Sequence, residues 1–207
     1  MAWVDADNGW ITVVAIDPGG TSGWSVMCVE ADALVDPDVS ILRSISHRAS
    51  GQVAVGNEDL HARELVDLIA AWPLAAVVIE DFQLRTFKQS RELLSPVRLT
   101  AKIDYAIWWG MQDCEPPERR AFRQTPALAK NTATDERLKQ WRLYIREGGL
   151  EHARDADRHA ITFLRRAKDK AKLRHAAWPH MFDEDGDLRE WEHPDEDADE
   201  FDDVGLQ

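Results

Sequence analysis

The chain has 207 residues, 44% of them apolar, and a formal net charge of −13. That length suits one domain plus a tail and is short for two full-sized domains. The sequence has no apolar run of about 18 residues, which argues against a membrane-spanning helix, and its two cysteines, Cys28 and Cys114, form no CxxC pair, which excludes a zinc knuckle or redox motif.

Taken in chain order, Trp10 to Ile16 is a nearly continuous β-branched run and predicts a first strand, ended by the turn residues Asp17-Pro-Gly-Gly. Trp24 to Val29 resumes as a second strand, and the short gap predicts an antiparallel hairpin. Val39 to Ser46 reads as a third strand. Leu60, Leu65, Leu68 and Ile69 have helical spacing and predict a helix from His61 to Trp72, stopped by Pro73. Leu74 to Ile79 is a short apolar run bounded by Pro73 and by Glu80 and Asp81, the pattern of a central strand packed on both faces. Ser90 to Trp109 predicts a helix with Pro96 as a point of interruption. A fifth strand is expected near Arg119 to Gln124. Thr125-Pro126 opens a helix with proline at its first position, and Thr134-Asp135-Glu136-Arg137 opens another. Gly148-Gly149 is a break, and His152 to about Lys172 predicts an amphipathic helix. Beyond Pro179 the composition turns acidic and poor in apolar residues, which predicts a disordered tail over 181–207 after a folded domain over 1–180. This order predicts an α/β fold of three layers, a mixed five-stranded sheet flanked by helices.

The opening Met1–Trp10 lacks the basic-then-apolar order of a cleaved signal peptide. With few cysteines and no membrane span, a reduced, cytoplasmic chain with no membrane partner is expected.

The charge is unevenly spread. Thirteen of the 38 acidic residues but only one of the 25 basic ones fall in 181–207, so the remainder is nearly neutral. Lys and Arg outnumber acids from Phe82 to Arg146 and again from Arg154 to Arg174. A neutral body with basic stretches can bind phosphates, because the local field matters more than the net charge; solvated helix faces give the same pattern. The run Arg85, Lys88, Arg91, Arg98 and Lys102 follows the second acidic strand and is a candidate phosphate-contacting stretch. The acidic tail is a candidate competitor for that surface, a solubilising segment, or, through Trp191 and Phe201, an anchor for a protein partner.

Three elements carry candidate chemistry. Asp17 ends a buried strand and is followed by small residues, so its carboxylate is fixed and accessible; a turn aspartate is the plain alternative. Glu80 also ends an apolar strand, where a desolvated carboxylate needs a partner such as a metal ion. Asp81 is expected on the opposite sheet face because side chains alternate, which favours Glu80. In Glu151-His-Ala-Arg-Asp-Ala-Asp-Arg-His-Ala, the residues His152, Asp155 and His159 lie along one helix face. Ala153, Ala156 and Ala160, extended by Phe163, Leu164 and Ala167, form a small-residue stripe that lets this helix lie close to a sheet. Two strand-end carboxylates plus an acid and histidine on a late helix suit hard divalent cations, two of which can activate water and stabilise the leaving oxygen of a phosphodiester. The sequence contains neither a Gly-x-Ser-x-Gly elbow nor a Walker loop.

Asp17-Pro-Gly with Thr21-Ser-Gly-Trp24, then Val78-Ile-Glu80, then His152-Ala-Arg-Asp155-Ala resemble, in order and spacing, the motifs of RuvC-type Holliday junction resolvases of the RNase H-like superfamily. Thr125-Pro126 to Lys130 and Thr134 to Leu138 resemble RuvC-like proteins of actinobacterial phages. The resemblance covers roughly residues 11–168. It implies an RNase H-like fold and a metal-dependent endonuclease that resolves Holliday junctions or other branched DNA in recombination and repair. It also implies a homodimer and Mg²⁺ or Mn²⁺ held at Asp17, Glu80, His152 and Asp155, with two ions per site. Lys130 joins the candidate DNA contacts. RuvC proteins carry an aromatic residue shortly after the second acid that stacks on an unpaired base; Phe82 and Phe87 are both candidates. His159 is an alternative to His152 as the functional histidine. Asp-x-Gly-Gly-Thr also resembles the phosphate-binding hairpin of acetate and sugar kinases, but the sequence has no second such hairpin. A noncatalytic DNA-binding or assembly protein on the same fold is a third reading; it predicts loss of one acid, and none is lost.

Overall fold

The computed structural model describes residues 9–54, 56–82, 91–110 and 121–190. Strand β1 (Trp10–Asp17) turns back antiparallel into β2 (Ser22–Glu30), and β2 pairs antiparallel with β3 (Ile45–Val53). After helix α1 (Glu58–Ala70), β4 (Ala76–Glu80) joins parallel to β1; after α2 (Arg91–Gly110), β5 (Ala121–Gln124) joins parallel to β4. The sheet order is β3-β2-β1-β4-β5. Helices α3 (Pro126–Thr132), α4 (Asp135–Gln140), α5 (Glu151–Asp169) and α6 (Ala171–Ala177) follow. This is the mixed, three-layer RNase H-like arrangement expected from the order of elements.

Two cores form because β1 and β4 are buried on both faces. Val13, Ala15, Ala76 and Val78 pack with Ala160, Phe163 and Leu164 of α5. Val14, Ile16, Val77 and Ile79 pack with Leu65 and Ile69 of α1 and Ile103 of α2. The alanine stripe lets α5 lie flat on the sheet: Ala153, Ala156, Ala160 and Ala167 are all fully buried. Among the described residues no helix is long and apolar enough to cross a membrane.

Four expectations need correction. The third strand is Ile45–Val53, not Val39–Ser46. Residues 39–44 instead turn tightly, with Arg43 N and Ser44 N donating to Ser40 O. Lys168 Nζ fixes the preceding turn by donating to Asp36 O and Val39 O, both at 2.7 Å. Secondly, α2 runs through Pro96; the missing N–H costs one bond near the start of the helix, and the buried ring packs. Thirdly, the last long helix stops at Asp169 and restarts at Ala171, because Arg174 reaches back to accept the role of cap, donating to Ala167 O and Lys168 O at 3.0 and 2.7 Å. Finally, packed structure continues past 180. Phe182 is fully buried against Trp178, its strand bridge to Leu188 closes a turn, and Arg174 Nε donates to Gly186 O at 2.8 Å. The acidic count of this stretch hid its apolar anchor. Residues 191–207 lie outside the described residues, as do Trp191 and Phe201.

The start of α5 sits unusually close to the sheet. A Cβ on Gly23 would stand 1.8 Å from His152 O and 2.7 Å from Ala153 N, both backbone atoms. Gly20, in the adjoining turn, has nothing within 4 Å of such a Cβ. Gly23→Ala is therefore expected to push α5 from its seat and to cost about 1–3 kcal/mol. Gly20→Ala stays within about 0.5 kcal/mol of the parent. Thermal or urea denaturation of the two variants checks this; equal stability would refute the close seat.

Candidate active site

Alternation along the two central strands decides which acids meet α5. Because Val13 and Ala15 face α5, so does Asp17; because Ala76 and Val78 face α5, so does Glu80, while Asp81 lies half-buried just past the strand, its N–H donating to Gln124 O at 2.7 Å. Ile16 is paired with Ile79 in the parallel register, so Asp17 and Glu80 leave neighbouring strand ends side by side.

Helix α5 supplies a partner for each. His152 Nδ1 lies 2.8 Å from Asp17 Oδ2, and His159 Nε2 lies 2.8 Å from Glu80 Oε2. The two histidines differ in access: the His152 side chain is 44% exposed and that of His159 is 1% exposed. Burial pushes the Asp17 carboxyl above its ordinary value; the His152 hydrogen bond opposes this, and the charges of Glu80 and Asp155 raise it again. The three carboxylates therefore share one field. The His152 imidazole is held above its usual value, first by its bond to Asp17.

Asp155 has cations on both oxygens. Arg158 engages Oδ1, and Lys130 Nζ lies 3.3 Å from Oδ2. Arg158 is itself fixed by Ala133 O at 3.0 Å and by Asp135 at the start of α4. Asp157, directed into the sheet instead, accepts from Ser25 Oγ at 2.7 Å and pairs with Arg48 of β3.

The start of α5 lacks a local cap, since Leu150 offers no side-chain acceptor. Gln52 of β3 replaces it. Its Oε1 accepts from His152 N at 2.9 Å and Ala153 N at 3.3 Å, and its Nε2 donates to Gly149 O at 2.6 Å. Gln52 carried no signal in the sequence, lying in a polar stretch that did not read as a strand. Gln124 was also missed. It ends β5 in register with Glu80, is 2% exposed, and donates to His159 O at 3.4 Å. Its signal was available, because β5 ends in a polar residue on the α5 face as β1 and β4 do.

The other candidates are more scattered. Arg98 contacts Glu58 at 2.9–3.1 Å and Lys102 Nζ contacts Asp59 at 2.5 Å, so these two bases of α2 are engaged with α1. Phe82 is half-buried just past β4. Arg85, Phe87 and Lys88 lie outside the described residues, and so does the side chain of Arg91.

Among the described residues no three His, Cys, Asp or Glu groups form a ready-made metal cluster. The donor set nevertheless fits a hard divalent cation in kind: two neighbouring strand-end carboxylates, one buried and one half-buried, whose charges repel, a nearby third carboxylate, and an imidazole beside the first. A cation there would offset the burial of the Asp17 carboxylate and its repulsion by Glu80 and Asp155.

No family model and no curated protein matches the sequence. Among solved structures, the chain is similar to Thermus thermophilus RuvC, with a TM-score of 0.50 and 15% identity, over 74% of this chain and 93% of that one. A second structure, T. thermophilus RuvC in complex with Holliday junction substrate, gives 0.49 and 15% identity over 74% and 92%. What the chain shares with the first of these is the fold, the RNase H-like fold of RuvC.

Proposed function

We propose that this chain is a metal-dependent endonuclease acting on branched DNA, a resolvase of the RuvC type. The observation that carries the reading is the placement of Asp17 and Glu80 side by side at neighbouring strand ends, each facing a histidine of α5. The motif order around Asp17, Glu80, His152 and Asp155 points the same way, and the shared fold supports it.

On this reading Asp17, Glu80 and Asp155 hold Mg²⁺ or Mn²⁺. The bound cation supplies Lewis-acid activation of water and charge for the leaving oxygen. The protein does the rest. Asp17 and Glu80 are fixed by a rigid sheet, which limits reorganisation on binding. His152, exposed and hydrogen-bonded to Asp17, is the imidazole within reach of substrate and can serve as proton donor to the leaving oxygen. Lys130, more than half exposed, is placed to meet a phosphate near Asp155. Asp17→Asn keeps the shape and removes the charge, so it is expected to abolish Mg²⁺-dependent cleavage of a synthetic four-way junction while leaving junction binding unchanged. Retained cleavage, or EDTA-resistant cleavage by the parent, would sink the assignment.

One observation favours a second reading. Both Asp155 oxygens are engaged by cationic side chains, as a noncatalytic DNA-binding protein on this fold could tolerate. Junction binding without cleavage in either Mg²⁺ or Mn²⁺ would select it.

Paired nicks in a four-way junction suit a two-fold dimer. Helix α2 divides its apolar residues: Leu99 and Ile103 are buried, whereas Tyr105, Trp108 and Trp109 are 56–64% exposed and touch one another. This exposed aromatic group is the proposed dimer contact. Light scattering is expected to give a dimer for the parent and a monomer for Trp108→Ala/Trp109→Ala; a parent that cuts with paired nicks as a monomer would refute it.

A further inference from the structure

We propose that His159 is a positioning residue that fixes the Glu80 carboxylate for cation binding and is not itself a ligand. This rests on the metal-site reading of Asp17 and Glu80 given above. The ring is sealed. It is 1% exposed, flanked on α5 by the fully buried Ala156, Ala160 and Phe163. Its Nε2 is taken up by Glu80 Oε2 at 2.8 Å, and its Nδ1 is buried without a hydrogen-bond partner. A ring proton on Nε2 donates to the carboxylate and leaves only a lone pair at the buried Nδ1. The opposite tautomer would set a lone pair against a carboxylate oxygen and bury an unpaired N–H, a costlier arrangement. Neither nitrogen is therefore available to a cation while the Glu80 bond stands.

Glu80 needs such a partner more than Asp17 does. Its side chain has one more rotatable bond, and holding it in one rotamer has an entropic cost that a fixed donor offsets. The donor is fixed because α5 is clamped to the sheet and because Gln124, in register with Glu80 on β5, binds the backbone carbonyl of His159. With Oε2 held, the Glu80 carboxylate keeps one orientation in which to meet a cation. An outer partner of this kind typically changes metal affinity by about 10- to 100-fold. The His152 side chain is bonded to Asp17 through Nδ1 but is 44% exposed, which leaves it as the histidine that substrate can reach.

The test is Mn²⁺ binding, followed by the loss of the free-ion electron paramagnetic resonance signal, with no cleavage measured. His159→Leu keeps the bulk and loses the donor; it is expected to weaken Mn²⁺ binding about 10- to 100-fold. His159→Gln places an amide N–H near the position of Nε2 and is expected to retain most of the affinity. If the two variants bind alike, whether both weakly or both as the parent does, positioning through Glu80 is overturned while the metal site stands. A parent that binds no Mn²⁺ overturns both the metal site and this proposal. The unmutated protein gives a check that does not depend on any variant folding: ¹H–¹⁵N correlation spectra are expected to place the His159 ring proton on Nε2, and a proton on Nδ1 would overturn the proposal.

Discussion

The seat of α5 on the first hairpin governs the rest of the candidate site. Asp17 is paired with Gly23 across β1 and β2, and the backbone of His152 and Ala153 occupies the space a side chain at 23 would fill. Glycine at this position lets the first turn of the helix lie down on the sheet. That turn then exposes amides that its own sequence does not cap, and Gln52, paired with Gly23 from the other side, answers them. The helix thus starts at a point set by the sheet. His152 falls beside Asp17, and two turns later His159 falls beside Glu80.

The charged residues of α5 are sorted by the same geometry. Asp155 and Asp157 are two residues and about 200° apart around the helix, so they cannot face the same surroundings. Asp157 is fully buried under the helix, where burial pushes its carboxyl up and Arg48 and Ser25 oppose that push. This pair ties the edge strand β3 to α5 and keeps Gln52 in reach of the helix start. Asp157 is wholly buried and Arg48 half-buried, so loss of the arginine is the destabilising change, because it leaves the buried carboxylate without its cation. The contact between helix and sheet is held by an ion pair at Asp157 and by backbone hydrogen bonds at Gln52, with apolar packing between them.

Much of this was legible in the sequence because the strands that carry the site are the most strongly patterned segments. β1 and β4 are continuous apolar runs that each end in an acid, and α5 has an unbroken stripe of small residues, so Asp17, Glu80 and the α5 face followed from periodicity. The third strand was misplaced for a physical reason: β3 is an edge strand whose α5 face carries Arg48, Ser50 and Gln52, so it lacks an apolar alternation. Its polar residues are the ones that fasten α5, and their partners lie about a hundred positions away, beyond the reach of any local pattern. The basic run after β4 was visible as charge, but the acids that engage Arg98 and Lys102 come from the start of α1 and were not.

The two cations on Asp155 are not equivalent, and the difference bears on how a third carboxylate could serve the site. The Arg158 side chain is 8% exposed and is tied to Ala133 O and Asp135, so it fixes Asp155 Oδ1 as firmly as His159 fixes Glu80. Lys130 is 55% exposed at the end of a flexible stem, and its contact with Oδ2 is of the exposed kind that contributes only about 0–1 kcal/mol. Exchanging that ammonium for another cation costs little, whereas displacing Arg158 would break a buried network. Each of the three acids on the proposed reading is then held through one oxygen by a partner from α5, His152, His159 or Arg158. The orientation of the carboxylates is built into the packing of one helix on one sheet, which is the preorganisation that electrostatic catalysis would require on the proposed reading.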